Sequence, residues 1–168
     1  TGTGKTFTAF NYALHLAERL TKEKHYDYKF LYCLPFTSII DQNYSVFDEI
    51  YRKIQKHKPT SQQLLKHHSL ADVFYKTNEK DYNVQESCFM IENWKSRLVV
   101  TTFIQFFHTL FSNGNRTLMK FYNLANRVII LDEVQSIPYC YWLILRQVFV
   151  KTSYWFDVHY LFVTATQP

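Results

Sequence analysis

The run Val128-Ile129-Ile130-Leu131, entered from Arg127 and closed by Asp132-Glu133, constrains this chain more than any other stretch. A strand with one wet face alternates apolar and polar residues, so four consecutive apolar positions call for burial on both faces. The same unbroken pattern recurs at Phe30-Leu31-Tyr32-Cys33-Leu34, closed by Pro35, and at Leu98-Val99-Val100 running into Thr101-Thr102, and a last strand, with His159 inside it, runs from Val158 to Val163. Between these runs the apolar residues step by three and four, the spacing of helices with one buried face. From Lys5 they fall at Phe7, Phe10, Leu14, Ala17 and Leu20. Ser38 is placed to cap a second helix carrying Ile39, Val46, Phe47, Ile50 and Ile54. A third carries Ile104, Phe107, Leu110 and Phe111, a short one follows the turn Asn113-Gly114-Asn115, and a last lies around Tyr141 to Val150. Doubly buried strands alternating with amphipathic helices predict an α/β three-layer sandwich on a mostly parallel sheet.

The remaining stretch, Lys56 to about Asn83, is polar and reads as a surface excursion around a strand near Leu64 to His68, with a helix from Glu86 to Trp94. No repeat or linker divides residues 1–168, and 168 residues at 47% apolar content, with 15 Phe and 13 Tyr, are enough for one core and exclude global disorder. The apolar runs are too short to cross a membrane. The N-terminus shows no secretory signal, and Cys33, Cys88 and Cys140 are too few and too scattered for a metal or disulfide framework. A cytoplasmic protein is expected. Nineteen Lys and Arg against 14 Asp and Glu leave +5, an excess that suits either nucleic acid or an ordinary solvated surface.

The chain has 3 glycines, and two of them, Gly2 and Gly4, stand in the opening Thr1-Gly2-Thr3-Gly4-Lys5-Thr6. This is most of the pattern GxxxxGK[ST], in which glycines let backbone N–H groups curl around phosphate at a helix N-terminus. Lys5 would reach the β- and γ-phosphates and the Thr6 hydroxyl would ligate Mg²⁺. The first glycine of the pattern, and the strand that feeds the loop, would precede residue 1. A strand feeding such a loop is expected to be central, so its absence predicts an unfilled slot in the core. Asp132 and Glu133, delivered at a strand's C-terminal end where open α/β sheets bind ligands, would hold Mg²⁺ and polarise the attacking water. The two boxes together predict an ATP site.

The acidic box continues as Asp132-Glu133-Val134-Gln135, and Val163-Thr164-Ala165-Thr166 ends a later strand. Pro35-Phe36-Thr37-Ser38 and Thr101-Thr102 also follow strands, where hydroxyls and helix N-termini suit sugar–phosphate contacts without base reading. The strings Leu34-Pro-Phe-Thr-Ser-Ile-Ile-Asp-Gln42, Val100-Thr-Thr-Phe-Ile-Gln-Phe-Phe107, Ile130-Leu-Asp-Glu-Val-Gln-Ser-Ile-Pro138 and Thr164-Ala-Thr-Gln-Pro168 resemble the CRISPR-associated helicase of type I systems, in superfamily 2. The resemblance spans essentially the whole chain. It implies the first RecA-like domain of an ATP-dependent translocase that pulls single-stranded DNA in the 3′-to-5′ sense after recruitment by an RNA-guided surveillance complex.

By that resemblance Thr1, Gly2, Thr3, Gly4, Lys5 and Thr6 would carry nucleotide phosphates and Mg²⁺, with Asp132 and Glu133 on metal and water. Gln135, Thr164 and Thr166 would relay the nucleotide state, and Pro35, Phe36, Thr37, Ser38, Thr101 and Thr102 would line the DNA track. The chain has no His-Asp dipeptide, so no nuclease activity is assigned. It also lacks a second RecA-like domain with its arginine finger, which predicts weak nucleotide binding and little or no hydrolysis by the chain alone. An RNA helicase of the same superfamily and a non-catalytic binding module with an inert loop are the alternatives. His25, His57, His67 and His68 lack acidic and cysteine partners at ligand spacing, Lys56 and Lys58 read as solvated charge, and Trp94, Trp142 and Trp155 read as core.

Overall fold

The computed structural model describes residues 2–67 and 93–164, with the backbone alone at Gly2, Thr3 and Arg116. Strands β1 (Lys29–Leu34), β2 (Leu64–His67), β3 (Leu98–Thr102), β4 (Arg127–Leu131) and β5 (His159–Phe162) make one sheet in the order β2-β3-β1-β4-β5. Every neighbouring pair is parallel, so the sheet is wholly rather than mostly parallel; Tyr32 on β1 lies opposite Val100 on β3 and Ile130 on β4. Parallel neighbours need crossovers, and helices supply them. Helix α1 (Gly2–Lys24) precedes β1; α2 (Ile40–Gln55) crosses from β1 to β2, α3 (Phe103–Phe111) and α4 (Asn115–Tyr122) from β3 to β4, and α5 (Trp142–Phe156) from β4 to β5.

Side chains alternate along each strand, which sorts the core into two layers. Phe30, Tyr32, Leu34, Val100, Val128 and Ile130 pack against α1 and α2. Leu31, Cys33, Val99, Ile129 and Leu131 face Phe103, Phe106, Leu124, Leu145 and Phe149 on the other side. The expected three-layer α/β sandwich is present, with the RecA-like arrangement of helices over a parallel sheet. Cys33 is a buried free thiol and Cys140 an exposed one.

Several elements differ in detail from the sequence expectation. The buried stripe of α1 is Thr6, Ala9, Phe10, Ala13, Ala17 and Leu20, while Phe7 and Leu14 point outward. Small alanines let the helix axis approach the sheet, so the stripe is rotated from the one the larger residues suggest. Helix α1 already includes Gly2, where the sequence places a loop before Lys5. Ser38 does not cap α2: a 3₁₀ turn at Thr37–Ile39 intervenes, and the residue preceding α2, Ile39, makes no side-chain cap. Helix α5 continues beyond Val150 to Phe156 because Thr152 occupies its buried stripe, donating its hydroxyl to the Val148 carbonyl at 2.8 Å. Among the described residues the strands pair without a gap, so the sheet shows no unfilled slot there; its edges are β2 and β5. His68, Cys88 and most of the helix expected from Glu86 lie outside the described residues; Trp94 is fully buried, and Trp155 is solvent-exposed rather than core.

The end of the sheet where the strands begin is locked by polar contacts. Arg127 is fully buried and donates to the carbonyls of Phe30 (2.8 Å), Trp94, Ser96 and Asn123, tying β1, β4, α4 and the turn before β3 together. Asp157, after α5, accepts from Lys24, Tyr26 and Tyr28. No helix among the described residues is long and apolar enough to cross a membrane.

Candidate nucleotide site at the strand ends

The opposite end of the sheet gathers the chemistry. The Asp132 N–H donates to the Cys33 carbonyl at 3.0 Å, extending the β1–β4 ladder one residue beyond the strand and fixing where its carboxylate starts. One carboxylate oxygen accepts from the Tyr32 hydroxyl at 2.7 Å and the other from the Glu133 N–H at 2.9 Å. Asp132 is buried, and burial raises its pKa, the hydrogen bond from Tyr32 opposing. Glu133 then takes a left-handed backbone conformation (φ 55°, ψ 44°), which turns the chain sharply out of the strand direction.

From there the Glu133 carboxylate accepts from Lys5 Nζ at 2.9 Å and from the Gln135 amide. The hydrogen bond from Lys5 holds Glu133 below the usual carboxylate range, and the same bond raises Lys5. Thr6, one residue along α1, is buried and donates to Asn43 Oδ1 at 2.9 Å; its hydroxyl also contacts that of Tyr32. A cavity of about 130 Å³ opens between α1, α2 and the end of β4, lined by Lys5, Thr6, Gln42, Asn43, Asp132 and Glu133 among others. Drug-sized ligands fill several hundred cubic ångströms, so this space suits a small polar group such as a phosphoryl group rather than a whole nucleotide.

Residues far apart in sequence, Lys5 and Thr6 against Asp132 and Glu133, thus converge on one cavity. Their donor set fits a Mg²⁺–phosphate group: a hydroxyl, a buried carboxylate and the Lys5 ammonium, with most of the metal shell left to phosphate and water. Gly4 is helical, has no positive φ, and has open space where a Cβ would sit, so the freedom of glycine is not used in this conformation. Thr1 lies outside the described residues.

Gln135 and Thr164 share a second, largely apolar cavity of about 720 Å³ with Trp142 and Phe162, and the Val134 N–H donates to the Val163 carbonyl at 3.0 Å. The acidic box and the end of β5 are therefore joined; Thr166 lies outside the described residues. Of the expected track, Phe36, Thr37 and Ser38 are exposed beside the cavity's α2 wall, and Pro35 is half-buried. Thr101 and Thr102 are not exposed. Thr101 is fully buried and donates to the His67 carbonyl at 2.8 Å, and Thr102 caps α3 by accepting from the Gln105 N–H at 3.2 Å. Their hydroxyls are engaged in joining β3 to β2 and to α3.

Sequence reasoning missed Tyr32 and Asn43. A tyrosine inside an otherwise aliphatic doubly buried strand needs a partner for its hydroxyl, and that was a readable signal for Tyr32. Asn43 gave none, since a polar residue on an amphipathic helix looks solvated. Among the described residues no group of three or more His, Cys, Asp or Glu side chains could hold a metal ion.

Comparison with known proteins agrees with this geometry. Residues 1–166 match the family described as "Type III restriction enzyme, res subunit". The chain is 30% identical over 175 residues to the CRISPR-associated nuclease/helicase Cas3 of Haloferax volcanii, an alignment covering 100% of this chain and 18% of the relative. The chain thus spans less than a fifth of that relative's length. With nearly every residue matched, a parallel sheet sandwiched by helices, and the acidic box facing Lys5 and Thr6, the chain belongs to the res-subunit family of helicase domains.

Proposed function

We propose that this chain is the ATP-binding RecA-like domain of a helicase motor that translocates single-stranded DNA in type I CRISPR interference. The observation that carries this reading is the convergence of Lys5, Thr6, Asp132 and Glu133 on one phosphate-sized cavity. The string-level resemblance and the Haloferax relative supply the CRISPR context. Partners are single-stranded DNA, an RNA-guided surveillance complex and a second RecA-like domain completing the cleft, all in the cytoplasm.

Bound MgATP supplies a phosphoryl group for transfer to water. In the chain, Thr6 and Asp132 would hold Mg²⁺, and Tyr32 keeps the Asp132 carboxylate oriented. Lys5 stands on Glu133 and would exchange that carboxylate for phosphate oxygens. Release from Lys5 leaves Glu133 free to orient a water and accept its proton. Gln135, hydrogen-bonded to Glu133 and sharing a cavity with Thr164, would pass that change toward β5. Phe36, Thr37 and Ser38 present an aromatic face and hydroxyls suited to stacking and phosphate contact on a single strand.

The test is nucleotide binding with Mg²⁺ in wild type and Lys5→Ala. Loss of a charge-assisted phosphate contact should weaken affinity at least about tenfold, on the order of 1.5–3 kcal/mol. Equal binding in both would favour the inert module. In the full-length polypeptide, Glu133→Gln should keep nucleotide binding and abolish turnover, and DNA rather than RNA should stimulate the wild type.

A further inference from the structure

Helix α5 is apolar on both sides, and a helix apolar all round is ordinarily buried all round. Its inner stripe, Leu145, Phe149 and Thr152, is buried against the sheet. Its outer stripe, Leu143, Gln147, Val150 and Tyr154, follows the i, i+4, i+7, i+11 spacing of one helix face. The apolar members of that stripe, Leu143, Val150 and Tyr154, are 75%, 61% and 78% exposed, and the exposed Ile144 and Trp155 widen it on one side. Single apolar residues on a surface are ordinary, but a contiguous stripe of them along a helix marks a contact face. The charges around it say what the contact brings. Helices α3, α4 and α5 contain no Asp or Glu. On α5 the cations Arg146 and Lys151 are exposed beside the stripe, with no ion-pair partner among the described residues. The helices on the other face of the sheet differ: there Glu18, Asp48 and Glu49 pair with Lys22, Arg52 and Lys53 one turn on.

We propose that the outer face of α5 is a docking face for an acidic, amphipathic segment of the same polypeptide lying outside residues 1–168. An apolar stripe bordered only by cations is complementary to a segment that is apolar at its centre and carries Asp or Glu at its border. A second copy of the face does not fit. Packing two α5 helices antiparallel about the middle of the stripe sets Arg146 of each beside Lys151 of the other, with no acid on α3, α4 or α5 to separate them. Nucleic acid does not fit either, because Leu143 and Val150 are aliphatic and offer neither a stacking ring nor a charge for phosphate. The alignment takes in 18% of the Haloferax relative, so a polypeptide of that plan carries ample further chain, tethered at high effective concentration. The face lies on the flank of the sheet, so the inference stands whether or not the strand-end cavity takes nucleotide.

The experiment uses the full-length polypeptide in a Cys88→Ser/Cys140→Ser background, with a single cysteine introduced by Leu143→Cys or Tyr154→Cys. Peptide mass spectrometry reads maleimide labelling at that site, natively and in denaturing urea. Native labelling should be at least about tenfold slower than labelling in urea. Adding Arg146→Glu and Lys151→Glu, both at exposed positions, should restore most of the rate, whereas Lys151→Arg should leave it slow. In the unsubstituted polypeptide a carbodiimide, which joins an amine to a carboxylate in contact with it, should link Lys151 to an Asp or Glu outside residues 1–168. Native labelling as fast as in urea, protection untouched by charge reversal, or a Lys151 link confined to residues 1–168 would each overturn the proposal. Protection that grows with protein concentration would assign the face to a second copy, and protection that appears only with oligo-dT would assign it to nucleic acid; either result also overturns it.

Discussion

Glu133 is the residue on which the site's geometry turns. A left-handed backbone places a Cβ against the following carbonyl and costs roughly 1–2 kcal/mol for a residue other than glycine. At φ 55° Glu133 carries that strain and in return aims its carboxylate back at Lys5. Glu133→Gly should therefore be more stable than Glu133→Ala by about 1 kcal/mol, since both lose the carboxylate and only glycine sheds the strain. Chemical denaturation of the two variants decides it, and equal midpoints would contradict the strained turn. The Asp132-Glu133 pair itself was legible in the sequence, because two acids closing a doubly buried run stand out. The turn was not, because no Gly or Asn marks it. Arg127 was misleading in the same way: it reads as a charge entering a strand, yet it is buried and donates to backbone carbonyls.

At the scale of elements, α1 and α5 are fastened at the end of the sheet opposite the site. Asp157 stops α5 in a left-handed conformation (φ 52°) and collects Lys24, Tyr26 and Tyr28. Burial would raise its pKa, but the hydrogen bonds from Lys24, Tyr26 and Tyr28 outweigh it and hold the carboxyl well below the usual carboxylate range. A carboxylate depressed on folding stabilises the fold fully above its unfolded value, near pH 4, and loses that contribution as the pH falls through the folded one. Asparagine tolerates the same backbone, so Asp157→Asn isolates the charge. It should lower the melting temperature at pH 7 by roughly 3–6 °C, for a loss of about 1–2 kcal/mol. That deficit should narrow steadily below pH 4; a constant deficit down to pH 2 would contradict the clasp. The helices and strands were legible as elements because their apolar periods are strong. Their ends were not: Asp157 looks like any loop acid, and Thr152 breaks the apolar stripe of α5 without ending the helix.

At the scale of the whole molecule, protection should follow position in the sheet. The central residues of β1, β3 and β4 are fully buried, whereas β5 is an edge strand with half-exposed side chains. Native-state hydrogen exchange should find the slowest amides at Leu31 to Cys33 and Ile129 to Leu131, opening only with global unfolding, and measurably faster exchange along β5. Equal protection on β4 and β5 would contradict the edge assignment. The sequence could predict a parallel sheet from doubly buried runs, but not the order in which the strands pair. That order is set by which crossovers the helices make. The two thiols among the described residues add a practical consequence. Cys33 sits in the sheet's interior, where burial pushes its pKa up and suppresses the reactive thiolate, whereas Cys140 stands exposed in the 3₁₀ turn at Tyr139–Tyr141. In a Cys88→Ser background a maleimide dye would accordingly attach at Cys140, next to the cavity shared by Gln135 and Thr164. The fold thus carries its own labelling point for following that junction by fluorescence as nucleotide is added.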